Sequence, residues 1–133
     1  MTAKLTDVSL TVDQAKIRQY AEITDDFNPI HLDAEFAART PMKGVIAHGT
    51  MSMNLIWQAI AATFGADAAV GAELDIRFIR PVRLGDVVTA GGEALSEGGG
   101  RFKVWVRNQA GDPVIEGMGT IPVRPVAGPA IRV

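Results

Sequence analysis

The sequence predicts an α+β domain in which an antiparallel sheet is curled around one uncharged helix. The first observation is that no lysine, arginine, aspartate or glutamate occurs in residues 44–66. The second is that helical patterns come first, and four stretches that alternate like strands follow them,. This order is unlike the regular alternation of strand and helix in a doubly wound sheet. We therefore expect one sheet and one central helix.

Length and composition indicate a single soluble globular domain that spans residues 1–133. Of the 133 residues, 47% are apolar and 21% are charged, and the formal net charge is −2. Nucleic-acid binders are normally strongly basic, so this class of protein is not indicated. The chain has no cysteine, which rules out disulfides and thiolate chemistry,. The N-terminus does not resemble a secretory signal, and we expect a cytoplasmic protein.

The uncharged stretch is long enough to cross a bilayer, but its composition predicts another position. It contains a histidine, two threonines, a serine, an asparagine and a glutamine, which would face lipid,. No membrane span is therefore predicted. We expect a helix over Gly49–Phe64 that ends at Gly65 in the left-handed conformation, which glycine adopts at little cost,. A helix without charge on any side should be surrounded by protein.

A strand and two shorter helices are predicted before the uncharged helix. The strand covers Val8–Thr11, and its last residue together with Gln14 resembles a capping box,. The first helix is accordingly expected over residues 12–23. Asp33 can cap a second, short helix over residues 34–38,.

Four strands are predicted after the uncharged helix, because apolar and polar residues alternate between turns rich in glycine. They cover residues 74–79, 87–95, 102–107 and 114–121. The simplest product is an antiparallel sheet around the helix. Residues 122–133 contain three prolines, and we interpret them as an edge segment or a loose tail,.

Asp26 and His31 are the strongest candidates for chemistry. They lie five residues apart across a turn that Pro29 stiffens, so their side chains can converge on one small volume,. A carboxylate and an imidazole can divide the work of acid and base near neutral pH. Spacing alone leaves a plainer interpretation open, in which the pair only satisfies the hydrogen bonds of a polar loop.

The start of the uncharged helix complements this pair. Free backbone N–H groups at Gly49 and the positive end of the helix dipole can receive developing oxyanion charge. Taken alone, however, His48-Gly49 is more often a plain helix cap. No metal site is expected, because Asp26 and Asn28 lack the glycine and distal glutamate of a calcium loop. A zinc site from the two histidines and an aspartate is conceivable, but the histidines lack the spacing of a helical zinc motif.

Four blocks of sequence, in the same order, resemble the MaoC-like family, which includes the R-specific enoyl-CoA hydratases. The first block is residues 20–33, whose most specific part is Asp-Phe-Asn-Pro-Ile-His at residues 26–31, and the others are residues 46–49, 77–82 and 85–86. The resemblance covers nearly the whole chain. It implies a hot-dog fold, in which a sheet wraps a long central helix. It also implies a homodimer, or a dimer of dimers, with active sites near the subunit interface.

The same resemblance implies roles for individual residues. Asp26 and His31 match the catalytic pair, and Gly49 matches the residue whose N–H binds the thioester carbonyl. Asn28 and His48 are expected to position or bind the substrate. The implied reaction adds water reversibly across the C2=C3 bond of a trans-2-enoyl-CoA and gives the (R)-3-hydroxyacyl thioester, in fatty acid metabolism. No cofactor is implied, since coenzyme A, or less readily acyl carrier protein, is part of the substrate.

Two departures from the family pattern leave alternatives open. Asp25 stands where the family usually has glycine, directly before Asp26. Trp57 stands where some members have a pocket serine, roughly 12 Å along the helix axis from Gly49. As a substrate-binding residue Trp57 would shorten the acyl channel, and otherwise it would pack in the core. The alternative functions are a hot-dog acyl-CoA thioesterase and a non-catalytic acyl-thioester-binding subunit of a heterodimeric dehydratase.

Overall fold

The computed structural model describes residues 2–123. Its elements in chain order are β1 (Val8–Thr11), α1 (Gln14–Thr24), α2 (Pro29–Leu32), α3 (Ala34–Ala38), α4 (Gly49–Phe64), α5 (Ala66–Gly71), β2 (Glu73–Phe78), β3 (Val87–Ala94), β4 (Arg101–Arg107) and β5 (Pro113–Thr120). The predicted tail lies outside the described residues from residue 124 onward. Among the described residues, no helix has both the length and the hydrophobicity that a membrane crossing requires.

The five strands form one antiparallel sheet in the order β1-β3-β4-β5-β2. Each of the four strands predicted after the uncharged helix is confirmed to within one residue at either end. Gly117 of β5 pairs with Ile76 of β2 and Val104 of β4. A Cβ at Gly117 would collide with the backbone of β2, so only glycine permits this approach,.

The central helix α4 packs on one face of the sheet, against β1, β3 and β4. Its bounds and its end at Gly65 agree with the prediction. The predicted left-handed conformation is wrong, because Gly65 has φ 94° and ψ 163° and also stands at the N-cap of α5. Burial of a side chain as large as isoleucine contributes about 1.5–3 kcal/mol, so this face contributes substantially to the stability of the core. The buried residues of α4 are Met51, Ser52, Leu55, Ile56, Ala59 and Ile60.

The expectation that protein surrounds α4 is not met within one chain. The sheet covers one face, while Thr50 and Gln58 are exposed and Asn54 and Trp57 are half-buried. The side opposite the sheet is therefore uncharged and yet partly open. A five-stranded sheet on one side of a helix cannot also cover the other side. The missing charge on this face must have another reason.

The predicted start of α1 is wrong by two residues. The helix begins at Gln14, and Asp13 rather than Thr11 is its N-cap, accepting a hydrogen bond of 2.8 Å from the Lys16 backbone N–H. That hydrogen bond is the main reason why the pKa of Asp13 is lowered from its ordinary value,. Thr11 pairs with Val87 in the sheet, so its backbone is extended and belongs to β1.

Side-chain caps start the two short helices α2 and α3. Asn28 Oδ1 accepts from the Ile30 N–H at 3.1 Å and starts α2, with Pro29 in the first turn,. Asp33 Oδ1 accepts from two N–H groups at the start of α3, as the sequence predicts. The six-residue helix α5 was not predicted. It directly follows Gly65, and its Ala-rich sequence gives no amphipathic period.

Candidate active site

Asp26 lies in the loop between α1 and α2, and local hydrogen bonds fix its backbone. Its N–H donates to the Ala21 carbonyl at 3.1 Å, which closes the end of α1. One carboxylate oxygen accepts from the Asn28 N–H at 3.2 Å. The side chain is 51% exposed, so the carboxylate can be reached from outside while its backbone is held.

Asp25 takes the left-handed conformation that ends α1. Its φ and ψ are 55° and 34°, and its N–H donates to the Ala21 carbonyl. Glycine adopts this conformation most readily, and aspartate is one of the few other residues that tolerate it. The Asp25 side chain is exposed. Asp25 thus replaces the family's glycine in a backbone conformation that both residues can adopt, and water screens the extra charge beside Asp26.

His31 lies on α2, is 8% exposed and has a defined tautomer. Its Nδ1 is 2.6 Å from the Ile46 carbonyl oxygen. A carbonyl only accepts hydrogen bonds, so Nδ1 carries the proton and Nε2 has the lone pair. The Ile46 N–H donates to the Ile30 carbonyl at 3.2 Å, and this second bond keeps the acceptor in place. Neutral His31 therefore offers Nε2 as a proton acceptor.

His48 lies behind His31 and touches both members of the pair. Its Nε2 donates to the Asp26 backbone carbonyl at 2.9 Å and lies 4.0 Å from the Asp26 carboxylate. Its ring stacks on that of His31, with centroids 3.9 Å apart and planes at 27°. The edge of Tyr20 closes the other side at 5.0 Å. His48 is 3% exposed, so it contacts the acid–base pair rather than solvent.

Asp26, His31 and His48 converge, since each offers an atom within 4.8 Å of the other two. A water that makes two hydrogen bonds of about 2.8 Å at a tetrahedral angle bridges atoms about 4.6 Å apart. The carboxylate and the His31 imidazole can therefore hold one water between them. A metal would need unprotonated ring nitrogens. The proton on His48 Nε2 is committed to the Asp26 carbonyl, which makes the cluster better suited to acid–base work.

The first turn of α4 is open beside this cluster. Among residues 2–123 no side chain caps the helix, and the Met51 N–H donates to the His48 carbonyl. The Gly49 N–H therefore remains available at the positive end of a 16-residue helix,. A Cβ at Gly49 would lie 3.0 Å from the Phe78 ring, so glycine leaves the only clearance there,.

A cavity of about 290 Å³ adjoins Gly49 and has mostly apolar walls. Segments before α4, after β2 and in β5 form these walls. The Ala47 N–H donates to the Val82 carbonyl at 2.7 Å and ties two of the segments together. The lining residues are Met42, Ile46, Ala47, Gly49, Ser52, Phe78, Ile79, Arg80, Pro81, Val82, Val114 and Ile115.

Of the residues singled out in the sequence, Gly49 lines this cavity, whereas Asp26, Asn28, His31, His48 and Trp57 do not. The Asn28 side chain caps α2, as described above, and so acts on the loop. Trp57 is half-buried, packs against the core and does not line the cavity. Sequence reasoning missed Ser52, which does line it. The available signal was a small polar residue on the face of α4 that the apolar periodicity marks as buried.

Comparison with known proteins identifies the family. The model of the MaoC-like domain matches residues 2–118. The chain belongs to the MaoC-like family. It is similar to a 3-hydroxybutyryl-CoA dehydratase of Methylorubrum extorquens, with 45% identity over 69 residues, which cover 52% of this chain and 44% of the relative. It is also similar to an (R)-specific enoyl-CoA hydratase of Rhodospirillum rubrum, with 32% identity over 80 residues, covering 60% and 56%.

The MaoC-like fold is confirmed by solved structures. The R-hydratase PhaJ1 of Pseudomonas aeruginosa has a TM-score of 0.76 and 31% identity, with 100% of this chain and 92% of that chain covered. The (R)-hydratase of Aeromonas caviae has a TM-score of 0.74 and 28% identity, covering 91% and 96%. The chain spans about half the length of the curated relatives that it matches.

Proposed function

We propose that this MaoC-like chain is an (R)-specific enoyl-CoA hydratase, which adds water reversibly across the C2=C3 bond of a trans-2-enoyl-CoA. The observation that carries the proposal is the convergence of the Asp26 carboxylate and the His31 imidazole next to the open start of α4. The names of the similar hydratases and dehydratases support it.

In this proposal the thioester carbonyl accepts a hydrogen bond from the Gly49 N–H. Asp26 and His31 hold the water, and one of them takes a proton as the water oxygen bonds to C3. The pair returns a proton to C2, so a C3–O and a C2–H bond replace the C2=C3 π bond and one O–H bond. The electron pair that moves toward the thioester oxygen meets the N–H and the helix dipole. Coenzyme A is the proposed carrier, and no further cofactor takes part.

An activity assay with matched variants tests this proposal. Purified protein should remove the conjugated enoyl absorbance of crotonyl-CoA, and chiral analysis should find the R product. Asp26→Asn and His31→Ala should each lower kcat by at least about 100-fold, since general acid–base groups contribute 10²–10⁴-fold. Asp25→Asn is the control, because it removes the same charge from the exposed neighbouring residue and should keep the wild-type rate.

The alternatives give different outcomes in the same experiment. Release of free thiol, detected with a thiol-trapping dye, would indicate a thioesterase. Thermal stabilisation by acyl-CoA without turnover would indicate a non-catalytic subunit. Wild-type rates in both Asp26→Asn and His31→Ala would contradict the assigned pair.

We further propose that the open face of α4 is covered by a second copy of the chain. This face is uncharged although it is partly exposed, and the Phe78 ring beside Gly49 at the start of α4 is exposed as well. Contiguous exposed apolar surface marks interaction sites. Light scattering should give twice the mass of one chain, or four times for a dimer of dimers. A monomer at micromolar concentration would contradict this.

A further inference from the structure

Ser52 carries a buried hydroxyl without a partner. The residue is 1% exposed, and among the described residues its Oγ makes no hydrogen bond. A serine or threonine inside a helix commonly donates to the carbonyl four residues earlier. Thr63 on the same helix does so, with Oγ1 2.7 Å from the Ala59 carbonyl. Ser52 does not, and a buried hydroxyl that stays unpaired destabilises the free protein.

The position of Ser52 relates its hydroxyl to the open helix start. It lies three residues after Gly49, so the two positions are neighbours on one side of α4. Helical side chains lean toward the N-terminus, which brings Ser52 over the first turn. Both residues line the same cavity, whose other walls are mostly apolar. A single torsion angle sets the hydroxyl, and rotation about it can turn the donor toward a ligand oxygen.

We propose that Ser52 is a second hydrogen-bond donor to the thioester oxygen, alongside the Gly49 N–H. This rests on the proposed hydratase function. As the water oxygen bonds to C3, negative charge moves onto the thioester oxygen, and a second donor at that point lowers the barrier. The hydroxyl keeps its proton throughout and only donates a hydrogen bond. The hydroxyl is then unpaired in the free protein because its acceptor, the thioester oxygen, arrives only with the substrate.

One competing explanation comes from Nδ1 of His48, a second buried atom that has no hydrogen-bond partner in the described part of the chain. It lies four residues before Ser52 and, with the proton on Nε2, it accepts hydrogen bonds. If the Ser52 hydroxyl served His48, its role would be structural. Removal of the hydroxyl would then lower the thermal stability of the protein, because a buried acceptor would lose its donor.

The test compares Ser52→Ala with Thr63→Ala, two hydroxyl deletions on one helix. Ser52→Ala should lower kcat on crotonyl-CoA roughly 100-fold, the usual effect of losing one oxyanion donor, with KM nearly unchanged and an unchanged or higher Tm. Thr63→Ala should keep kcat and lower Tm, since its hydroxyl also accepts from the Thr6 N–H at 2.8 Å. Ser52→Cys, which keeps a weaker donor, should give an intermediate kcat.

The outcomes separate this inference from the proposed function. An active wild type with full kcat in Ser52→Ala overturns the inference and leaves the hydratase proposal intact. A clearly lowered Tm in Ser52→Ala assigns the hydroxyl to His48 and also overturns it. A wild type that hydrates no enoyl-CoA overturns both. Loss of kcat at unchanged or raised Tm supports the donor role.

Discussion

Substitution of His48 separates the two contacts by which it holds the acid–base pair. The ring donates to the Asp26 carbonyl at 2.9 Å and stacks on His31 at 3.9 Å. His48→Phe keeps an aromatic ring for the stack and removes the donor. Because a C–H group and a carbonyl oxygen stay about 3.3–3.6 Å apart, the Asp26 carbonyl must retreat by about 0.4–0.7 Å.

This displacement approaches the 1 Å misplacement that costs about 100-fold in rate. We therefore expect His48→Phe to lower kcat roughly 10-fold or more, through its effect on the position of Asp26. The free energy of unfolding should fall by about 1–3 kcal/mol, because a larger ring enters a closely packed site. Steady-state kinetics on crotonyl-CoA and thermal unfolding followed by circular dichroism measure the two effects.

His48→Gln is the complementary variant. Its amide N–H reaches about as far as the imidazole Nε2, so the hydrogen bond to Asp26 can survive, while the stacking, worth about 0.5–1.5 kcal/mol, is lost. We expect a less stable protein whose kcat lies closer to wild type than that of His48→Phe. Wild-type kcat in His48→Phe would refute the reasoning, as would equal impairment of the two variants.

Two further predictions use other parts of the chain. Phe78→Ala should extend the range of accepted acyl lengths, because the ring lines the cavity at Gly49, whereas Trp57→Ala should not. Rates measured over a series of enoyl-CoA chain lengths test this, and a changed chain-length profile in the Trp57 variant alone would contradict it. Asp13→Ala should lower Tm at neutral pH. Because the pKa of Asp13 is lowered in the folded protein, its stabilisation is present above the ordinary value of 3.8 and is lost as the pH falls below it,. Asp13→Asn keeps a cap that does not titrate. A Tm difference between this variant and wild type that stays the same at every pH would refute the assignment.

The fold could be predicted from the sequence where one local signal was strong. The strands alternate cleanly, and Asp33 stands directly before a short apolar helix, so these elements were located to within a residue. The start of α1 was misplaced because Thr11 and Asp13 are both good caps, and only the pairing of Thr11 with Val87 decides between them. The expectation of a surrounded α4 failed because one chain supplies a single sheet.

The site was predictable to the extent that it is local. Asp26 and His31 share one loop and helix, so the proline-stiffened turn was enough to bring them together. The position of His48 depends on a stack between segments 17 residues apart, which no spacing rule reveals. Ser52 was missed because a small polar residue on a buried helix face usually only occupies space in the core. Its proposed role depends on the lack of a hydrogen-bond partner for its hydroxyl among the described residues, which only the three-dimensional structure reveals.

The left-handed backbone at Asp25 limits how the sequence around the acid–base loop can vary. A library randomised at this position should return glycine, asparagine and aspartate, and should exclude valine and isoleucine, whose branched side chains clash in that conformation. The direction of the adjacent Asp26 carboxylate thus depends on the backbone conformation of a solvent-exposed residue. Engineers who alter the chain around it can change the side chain freely only among these three.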